Sequence, residues 1–202
     1  MEKKQFLYLA FLAFLVAGLV ALYYVWLSQD QIYVENSSLE ATTVDLSSAT
    51  GGQLQNVWVK AGDSVAANQA VAQIGNAVVK TKDAGTIISV NDDIGKVFAP
   101  SEKVATMIDP GDLRVVAQVE EDKGLSDIKI GQRAFFTVDA FGSKEFSGIV
   151  DEISPTSRSG DVVFNISNTR EEKEFNIKIR FDTAHYPELK NGMSAKVWIY
   201  KN

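Results

Sequence analysis

The sequence predicts an all-β protein, in which a small β-sandwich is followed by a small antiparallel sandwich or barrel, behind one membrane-spanning helix. Three observations carry this prediction. A pattern of glycine and apolar residues between positions 52 and 107 repeats itself at a fixed offset, which is typical of duplicated structural units. Short stretches of alternating apolar and polar residues, the pattern of half-buried strands, continue beyond residue 113. A long run without charge lies near the N-terminus.

The first element is the uncharged run Phe6–Leu27, whose 22 residues would span roughly 33 Å as a helix, enough to cross a bilayer. Lys3 and Lys4 precede it, and no Lys or Arg follows before Lys60. The positive-inside rule therefore places the N-terminus in the cytoplasm and the rest of the chain outside. Aromatic residues suited to the membrane interface lie near the ends of the run: Tyr8, Tyr23, Tyr24 and Trp26.

A cleaved signal peptide is the alternative for this segment. Signal peptides have a shorter apolar region and end in small residues, whereas this run ends Tyr-Val-Trp-Leu-Ser-Gln. We therefore expect residues 1–28 to be a cytoplasmic stub and an uncleaved anchor. Residues 29–48 are rich in Ser and Thr with short alternations, which predicts a linker followed by the first barrel strand.

Residues 49–109 contain the repeat, in which each residue recurs 33 positions later (85 − 52 = 33). Two copies of one β-rich unit would bury their apolar faces against each other. Gly75-Asn76 is a tight-turn dipeptide between the copies. The first copy places Gly52, Leu54, Val57, Gly62, Val65, Val71 and Ile74 where the second has Gly85, Ile87, Val90, Gly95, Phe98, Val104 and Met107.

Residues 110–202 are predicted to form a second all-β domain. Asp109-Pro110-Gly111-Asp112 marks the boundary, and short β-rich segments follow, which is typical of a small barrel or sandwich. In FNIKIRFD, apolar residues alternate with polar ones almost throughout. EEDKGLSDIKIGQ is predicted as a polar turn with one short helical piece. A polar loop is expected after Ser154-Pro155, and residues 154–174 give the weakest structural signal.

Composition excludes several classes of function. The chain has no cysteine, so disulfides, zinc–thiolate sites and cysteine nucleophiles are impossible. His185 is the single histidine and lies in a polar turn, where we expect a solvated side chain rather than a catalytic one. Glu120, Glu121 and Asp122 precede Lys123-Gly124 and are expected in an exposed turn. The net charge of −6 argues against nucleic acid as a partner.

In order, these segments resemble the membrane-fusion proteins, also called HlyD-family or periplasmic adaptor subunits. The likeness covers roughly residues 40–200 and the anchor. The segments that carry it are TGGQLQNVWVKAGDSVAANQAVAQIG, DAGTIISVNDDIGKVFAPSEKVATMIDP, LRVVAQVEEDKGLSDIKIGQRAFFTVDAFGSKEFSGIVDEISP and LKNGMSAKVWI. The resemblance implies that residues 49–109 form a biotinyl/lipoyl-like β-sandwich inserted in a small β-barrel, which residues 110–202 complete.

The resemblance also implies a non-catalytic role. Such a protein is an adaptor subunit of an efflux or secretion transporter, an MFS or ABC permease, and commonly forms a homo-oligomeric ring. No cofactor or metal is expected. Most family members carry a long α-helical hairpin between the two lipoyl halves, whereas here Ile74 leads directly through Gly75-Asn76 to the second copy. This departure favours a cell with one membrane, or an adaptor that acts at the transporter mouth.

Two residues of the tip and one tryptophan are the candidate partner contacts. Gly75 and Asn76 would form the tip of the lipoyl-like domain. Trp58 alternates with the apolar Val57 and Val59. We favour core or rim packing for Trp58, with an exposed contact as the alternative, because exposed tryptophan is enriched at interfaces.

Two other classes of function compete with the adaptor. Biotinyl and lipoyl carriers bear their cofactor on a lysine at the hairpin between the halves. The nearest lysines, Lys80 and Lys82, are not at the Gly75-Asn76 turn, so we expect ordinary surface lysines. A membrane-anchored surface binding protein unrelated to transport is the other alternative, and co-purification with a permease would exclude it.

Overall fold

A computed structural model describes residues 12–20, 31–158 and 173–201 of the chain. Residues 12–20 are helical, and the other described residues form strands, turns and three short 3-10 turns, so the all-β prediction is confirmed for them. Among the described residues, no helix is long and apolar enough to cross a membrane. The remainder of the predicted anchor, with Tyr8, Tyr23, Tyr24 and Trp26, lies outside the described residues.

The described residues contain fourteen strands. In chain order they are β1 (Gln31–Glu40), β2 (Thr43–Ser47), β3 (Gly52–Val57), β4 (Ser64–Val65), β5 (Ala70–Ile74), β6 (Ala77–Lys80), β7 (Gly85–Val90), β8 (Val97–Phe98), β9 (Lys103–Ile108), β10 (Arg114–Glu120), β11 (Arg133–Val138), β12 (Glu145–Arg158), β13 (Glu174–Arg180) and β14 (Ser194–Tyr200). The 3-10 turns are Pro110–Asp112, Leu125–Asp127 and Asp139–Phe141. Leu125–Asp127 is the helical piece predicted in EEDKGLSDIKIGQ.

The chain folds into two compact units. The barrel unit combines Met1–Ser37, Ala117–Ile179 and Ala195–Asn202, of which the residues given above are described. The sandwich unit combines Ser38–Val116 with Arg180–Ser194.

The barrel closes in the strand order β1-β10-β13-β12-β11-β14. Its strands alternate as predicted: Ile177 and Ile179 of β13 are buried, and so is Phe181 just beyond it. Phe136 of β11 lies opposite Phe146 of β12, and the two fully buried rings stack with their centroids 5.4 Å apart. Inward-facing apolar residues of this kind fill the interior of a small barrel.

One boundary in the barrel differs from the prediction. The polar loop expected after Ser154-Pro155 does not begin there, because β12 continues to Arg158. Proline fixes its φ near the extended range and lacks only the amide hydrogen, so it can lie in a strand wherever that hydrogen is not needed for pairing. The interpretation of Pro155 as the end of the strand was therefore wrong.

The sandwich consists of two four-stranded sheets, ordered β2-β9-β7-β4 and β6-β5-β3-β8. Adding 33 to the residue numbers carries β2, β3, β4 and β5 onto β6, β7, β8 and β9. Exchanging the strands that are related by this offset therefore converts each sheet into the other. Each copy of the repeat contributes strands to both sheets, so neither copy can complete a sheet alone.

The two copies agree in their hydrogen bonds as well as in their strands. Gly62 N donates to Ile87 O at 2.7 Å, and the equivalent bond from Gly95 N to Leu54 O is 2.8 Å. The pairing of β3 with β5 shifts register between Leu54 and Asn56, and that of β7 with β9 shifts at the equivalent residues. The predicted repeat is thus confirmed, and the buried positions Leu54 and Ile87 lie in one shared core.

A short turn in each copy is closed by a side chain, and the two copies use different chemistry for it. Ala66 N donates to the amide oxygen of Gln69 at 2.9 Å, whereas Ala99 N donates to the carboxylate of Glu102 at 2.8 Å. The Ala99 amide, with Lys96 at 3.5 Å, holds the pKa of Glu102 below its ordinary value. A lowered pKa stabilises the fold above the ordinary carboxyl range, and this contribution is lost as the pH falls through the lowered value.

Replacing Glu102 with glutamine should therefore reduce the acid sensitivity of the sandwich. Gln69 shows that an amide closes this turn, so the variant keeps the bond from Ala99 but has no carboxylate to protonate. The free energy of unfolding, measured by denaturant titration at pH 7 and near pH 3, should fall less in Glu102→Gln than in the parent protein. An equal loss in both proteins would contradict the assignment.

Candidate partner-contact surface

The turn between β5 and β6 consists of the predicted dipeptide, Gly75 and Asn76. Ile74 pairs with Ala77, so the loop has two residues. Gly75 has a φ of +54° and donates its N–H to Gln53 O at 2.8 Å. Two-residue hairpin loops with glycine first favour such a positive φ, which is why glycine suits this position.

Two other segments lie beside this turn. A β-carbon on Gly52 would be 3.1 Å from Gly75 Cα, and one on Gly51 would be 2.8 Å from Phe98 O. Ser101 N donates to Ser48 O at 2.8 Å. These contacts bring residues 48–52, 75–76 and 99–101 together at one end of the sandwich, which we call the sandwich tip.

The sandwich tip is built of small, uncharged residues. Its three segments contain only Ser, Ala, Thr, Gly, Asn and Pro. The repeat-related segments 81–85, 108–109 and 66–68 form the opposite end and include Lys82, Asp83 and Asp109. Uncharged groups are less costly than charges to remove from water, and interface cores are depleted of charged residues. The sandwich tip is therefore the end better suited to contact with another protein.

Trp58 is exposed but does not belong to the sandwich tip. The residue is 50% exposed, which excludes a core position and is compatible both with packing at the rim and with an exposed contact. Trp58 N donates to Val71 O at 2.9 Å, and Val71 lies four residues before Gly75 on β5. That separation is about 13 Å along a strand, so the structure keeps Trp58 apart from the Gly75-Asn76 turn.

The two lysines considered for a carrier also lie away from the turn. Lys80 pairs with Ala70, at the opposite end of β6 from Asn76, and its side chain is exposed. Lys82 is exposed in the loop that follows. The turn itself offers a glycine and an asparagine, neither of which can carry an amide-linked prosthetic arm.

Of the remaining titratable candidates, His185, Glu121 and Asp122 occupy exposed turns, whereas Glu120, which was expected there, is the last residue of β10 and is half-buried. His185 is exposed, and its backbone N–H donates to Asp182 O at 3.2 Å while its ring stands edge-on to Tyr186. Glu120 pairs with Lys123 at 2.8 Å. Within residues 12–20, 31–158 and 173–201, no group of three or more His, Asp or Glu side chains could hold a metal ion.

Sequence reasoning found the Gly75-Asn76 turn but missed the other two segments of the sandwich tip. The signal was present, because the offset of 33 also relates residues 48 and 81, upstream of the repeat as we first traced it. Ser101 N and Asn68 N, 33 positions apart, donate to Ser48 O and Thr81 O at 2.8 and 3.0 Å. Extending the repeat upstream would have placed residues 48–52 beside the turn.

Comparisons with known proteins bear on the fold. The sequence matches no family model and no curated protein. Among solved structures, a MacA–MexA chimera that contains the α-hairpin domain of Pseudomonas aeruginosa MexA is similar with a TM-score of 0.66 and 15% identity. The match covers 86% of this chain and 81% of the chimera.

Two further solved structures agree. The membrane fusion protein Spr0693 from Streptococcus pneumoniae R6 has a TM-score of 0.61 at 14% identity, over 85% of this chain and 99% of that one. The periplasmic adaptor protein EmrA has a TM-score of 0.57 at 12% identity, over 86% and 99%. The predicted resemblance is therefore confirmed at the level of the fold: this chain has the fold of membrane-fusion and periplasmic adaptor proteins.

Proposed function

We propose that this chain is a membrane-fusion protein that serves as the non-catalytic adaptor subunit of an efflux or secretion transporter. The carrying observation is the fold shared with adaptor proteins over 85–86% of the chain. The strand order adds support, because β1 enters the barrel, the duplicated sandwich follows, and β10–β14 complete the barrel. In this proposal the barrel is formed by β1 and β10–β14, and the lipoyl-like domain is the duplicated sandwich of β2–β9.

The proposed location follows from the sequence at the N-terminus. Phe6–Leu27 crosses the cell (inner) membrane once, with the N-terminus in the cytoplasm and the β-domains on the outer side. Such a tether raises the local concentration of the domains at a transporter in the same membrane. The transporter partner is an MFS or ABC permease, and copies of the adaptor assemble as a ring around its exit.

The proposed mechanism is organisational and makes no covalent bond. The chimera similar to this chain contains an α-hairpin domain, whereas here two residues connect β5 to β6. The sandwich tip therefore ends in a two-residue turn beside uncharged residues instead of a long projection. An adaptor of this kind acts at the transporter mouth, and Gly75, Asn76 and the exposed Trp58 are its proposed contacts.

Purification of the full-length chain from native membranes tests the proposal. A C-terminally tagged copy, expressed at its natural level and crosslinked before solubilisation, should recover one multi-spanning permease in fixed proportion. Recovery of soluble enzymes alone would contradict it. The intact mass of the purified chain tests the carrier alternative in the same sample, since a carrier would show a mass increment on Lys80 or Lys82.

A charge placed on the sandwich tip should weaken the proposed contact. Asn76 is exposed in the turn, so Asn76→Asp changes the surface without disturbing the core. We expect a lower crosslinking yield to whichever protein meets the tip, because the new charge must be desolvated on contact. Ala67→Asp adds the same charge in a turn at the opposite end of the sandwich and is the matched control. Equal yields from both variants would remove Asn76 from the contact.

A further inference from the structure

The outer wall of the barrel carries a continuous set of aromatic and apolar side chains. Phe135 of β11 lies directly opposite Trp198 of β14. Tyr33 of β1 contacts Trp198 in a tilted arrangement with ring centroids 5.2 Å apart, and Tyr200 meets Phe135 edge-on at 5.5 Å. With Ile149 of β12 the set spans four neighbouring strands of the barrel. We call it the aromatic patch.

The aromatic patch faces outward and is only partly covered. Tyr33 is 48% exposed and Ile149 is 44% exposed, and Tyr200 is exposed as well. Ile130, 68% exposed at the turn before β11, extends the patch. That turn is held beside β12 by a 2.8 Å bond from Gly131 N to Val150 O. Single exposed apolar residues are ordinary, but a contiguous set marks an interaction surface.

The patch lies at one particular end of the barrel. Tyr33 is the third residue of β1, Tyr200 is the last residue of β14, and Ile130 lies three residues before the start of β11. The chain enters the barrel at Gln31, four residues after Leu27. Because an extended chain covers at most about 3.8 Å per residue, Gln31 lies within about 15 Å of Leu27. If Leu27 ends a membrane-spanning helix, this end of the barrel lies at the membrane surface.

The chemistry of the patch suits that position. Tyrosine and tryptophan combine an apolar ring with a polar group and are enriched at the headgroup level of bilayers. Arg133 stands opposite Ile149, and long basic side chains can reach headgroups while their stems lie against apolar groups. Lys201, which follows Tyr200, is instead paired with Asp127 at 3.0 Å. We infer that the aromatic patch seats in the headgroup region of the bilayer that the N-terminal segment crosses, which rests on the anchor in the proposed function.

Seating would restrict the barrel at the membrane. A barrel joined to the membrane only by its chain connection to the anchor has a single point of attachment, which does not fix its orientation. A second contact on its wall would hold one face of the barrel down and turn the opposite face, around β10 and β13, away from the lipid. The patch would thus orient the adaptor without a protein partner.

Quenching of single tryptophans by brominated lipids tests the inference in the full-length chain. The protein is reconstituted in vesicles of phosphatidylcholine and phosphatidylglycerol, with or without bromine on the acyl chains near the headgroup. One variant keeps Trp198 (Trp26→Phe, Trp58→Phe), and a second keeps Trp26 (Trp58→Phe, Trp198→Phe). A third lacks all three native tryptophans and carries Ser143→Trp, in the turn at the other end of β11.

We expect bromolipid to quench Trp26 and Trp198 but to leave the tryptophan at position 143 at its intensity in plain lipid. Adding Ile130→Ser and Tyr200→Ser to the Trp198 variant should reduce its quenching. Quenching of Trp26 alone would overturn the inference and leave the anchor standing, with the patch facing a protein. No quenching of Trp26 would overturn the anchor and the inference together. Quenching of Trp198 that is equally strong with and without the serine substitutions would also overturn the inference about the aromatic patch.

Discussion

Replacing Phe146 with alanine is expected to lower the free energy of unfolding of the barrel by about 3–5 kcal/mol. The ring is fully buried, stacks on Phe136 at 5.4 Å and is met edge-on by Phe141 at 5.9 Å. Truncation removes this apolar burial and leaves a cavity that strands fixed in a closed barrel cannot fill. Small domains are stable by only about 5–15 kcal/mol, so denaturant titration should show a large shift in midpoint.

The neighbouring phenylalanine provides the control for this prediction. Phe135 lies on the same pair of strands but on the outer wall and is half-buried, so Phe135→Ala should cost less than half as much. The double variant Phe136→Ala, Phe146→Ala should lose about 0.5–1.5 kcal/mol less stability than the sum of the losses in the two single variants. Each single variant already removes the stacking between the two rings, so the sum counts that interaction twice. Equal losses from Phe135→Ala and Phe146→Ala would show that the barrel interior is not packed as described.

Replacing Gly85 with alanine should destabilise the sandwich by about 3 kcal/mol, at the upper end of the usual cost of overpacking. A β-carbon at this first residue of β7 would overlap the Ile108 carbonyl oxygen and the Met107 methyl group. Met107 can move, but the Ile108 carbonyl belongs to β9, with which β7 is paired. The substitution therefore forces the two strands apart, and the thermal midpoint of the sandwich should fall.

A second glycine tests whether the cost comes from this overlap. A β-carbon on Gly111 would be 3.2 Å from the carboxylate oxygen of Asp109 that accepts the Gly111 N–H, so this side chain needs to shift by only a few tenths of an ångström and can keep its hydrogen bond. Gly111→Ala loses the same backbone freedom of the unfolded chain as Gly85→Ala, so it should be close to neutral. Similar midpoints for the two variants would contradict the close approach of β7 and β9.

The repeat could be predicted because equivalent residues of the two copies are separated by a constant number of positions in the sequence. Gly62 and Gly95 each donate to a carbonyl of the other copy, and such equivalent bonds require equivalent residues at a constant offset. The exchange of strands between the two sheets could not be predicted. Pairings such as β2 with β9 join residues about sixty positions apart, and a local alternation pattern does not specify its distant partner.

The candidate surfaces show the same limit. Gly75-Asn76 was predicted because a two-residue turn has a local signature, whereas residues 99–101 reach the sandwich tip only through pairing of distant strands. In β14, alternation identifies Val197 and Ile199 as buried, but it cannot say that the outward Trp198 meets Tyr33 of β1. The sequence therefore shows which face of one strand is buried, whereas a surface shared by four strands can be recognised only once their pairing is known.

Export in cells that keep the co-purified transporter but lack this chain tests the central claim most directly. We predict that export falls when the chain is removed, although the transporter remains in the membrane. The parent protein should restore it, and so should Lys80→Arg combined with Lys82→Arg, because an adaptor needs no modified lysine. Export that is unchanged by removal of the chain, or that the double-arginine variant fails to restore, would contradict a non-catalytic adaptor.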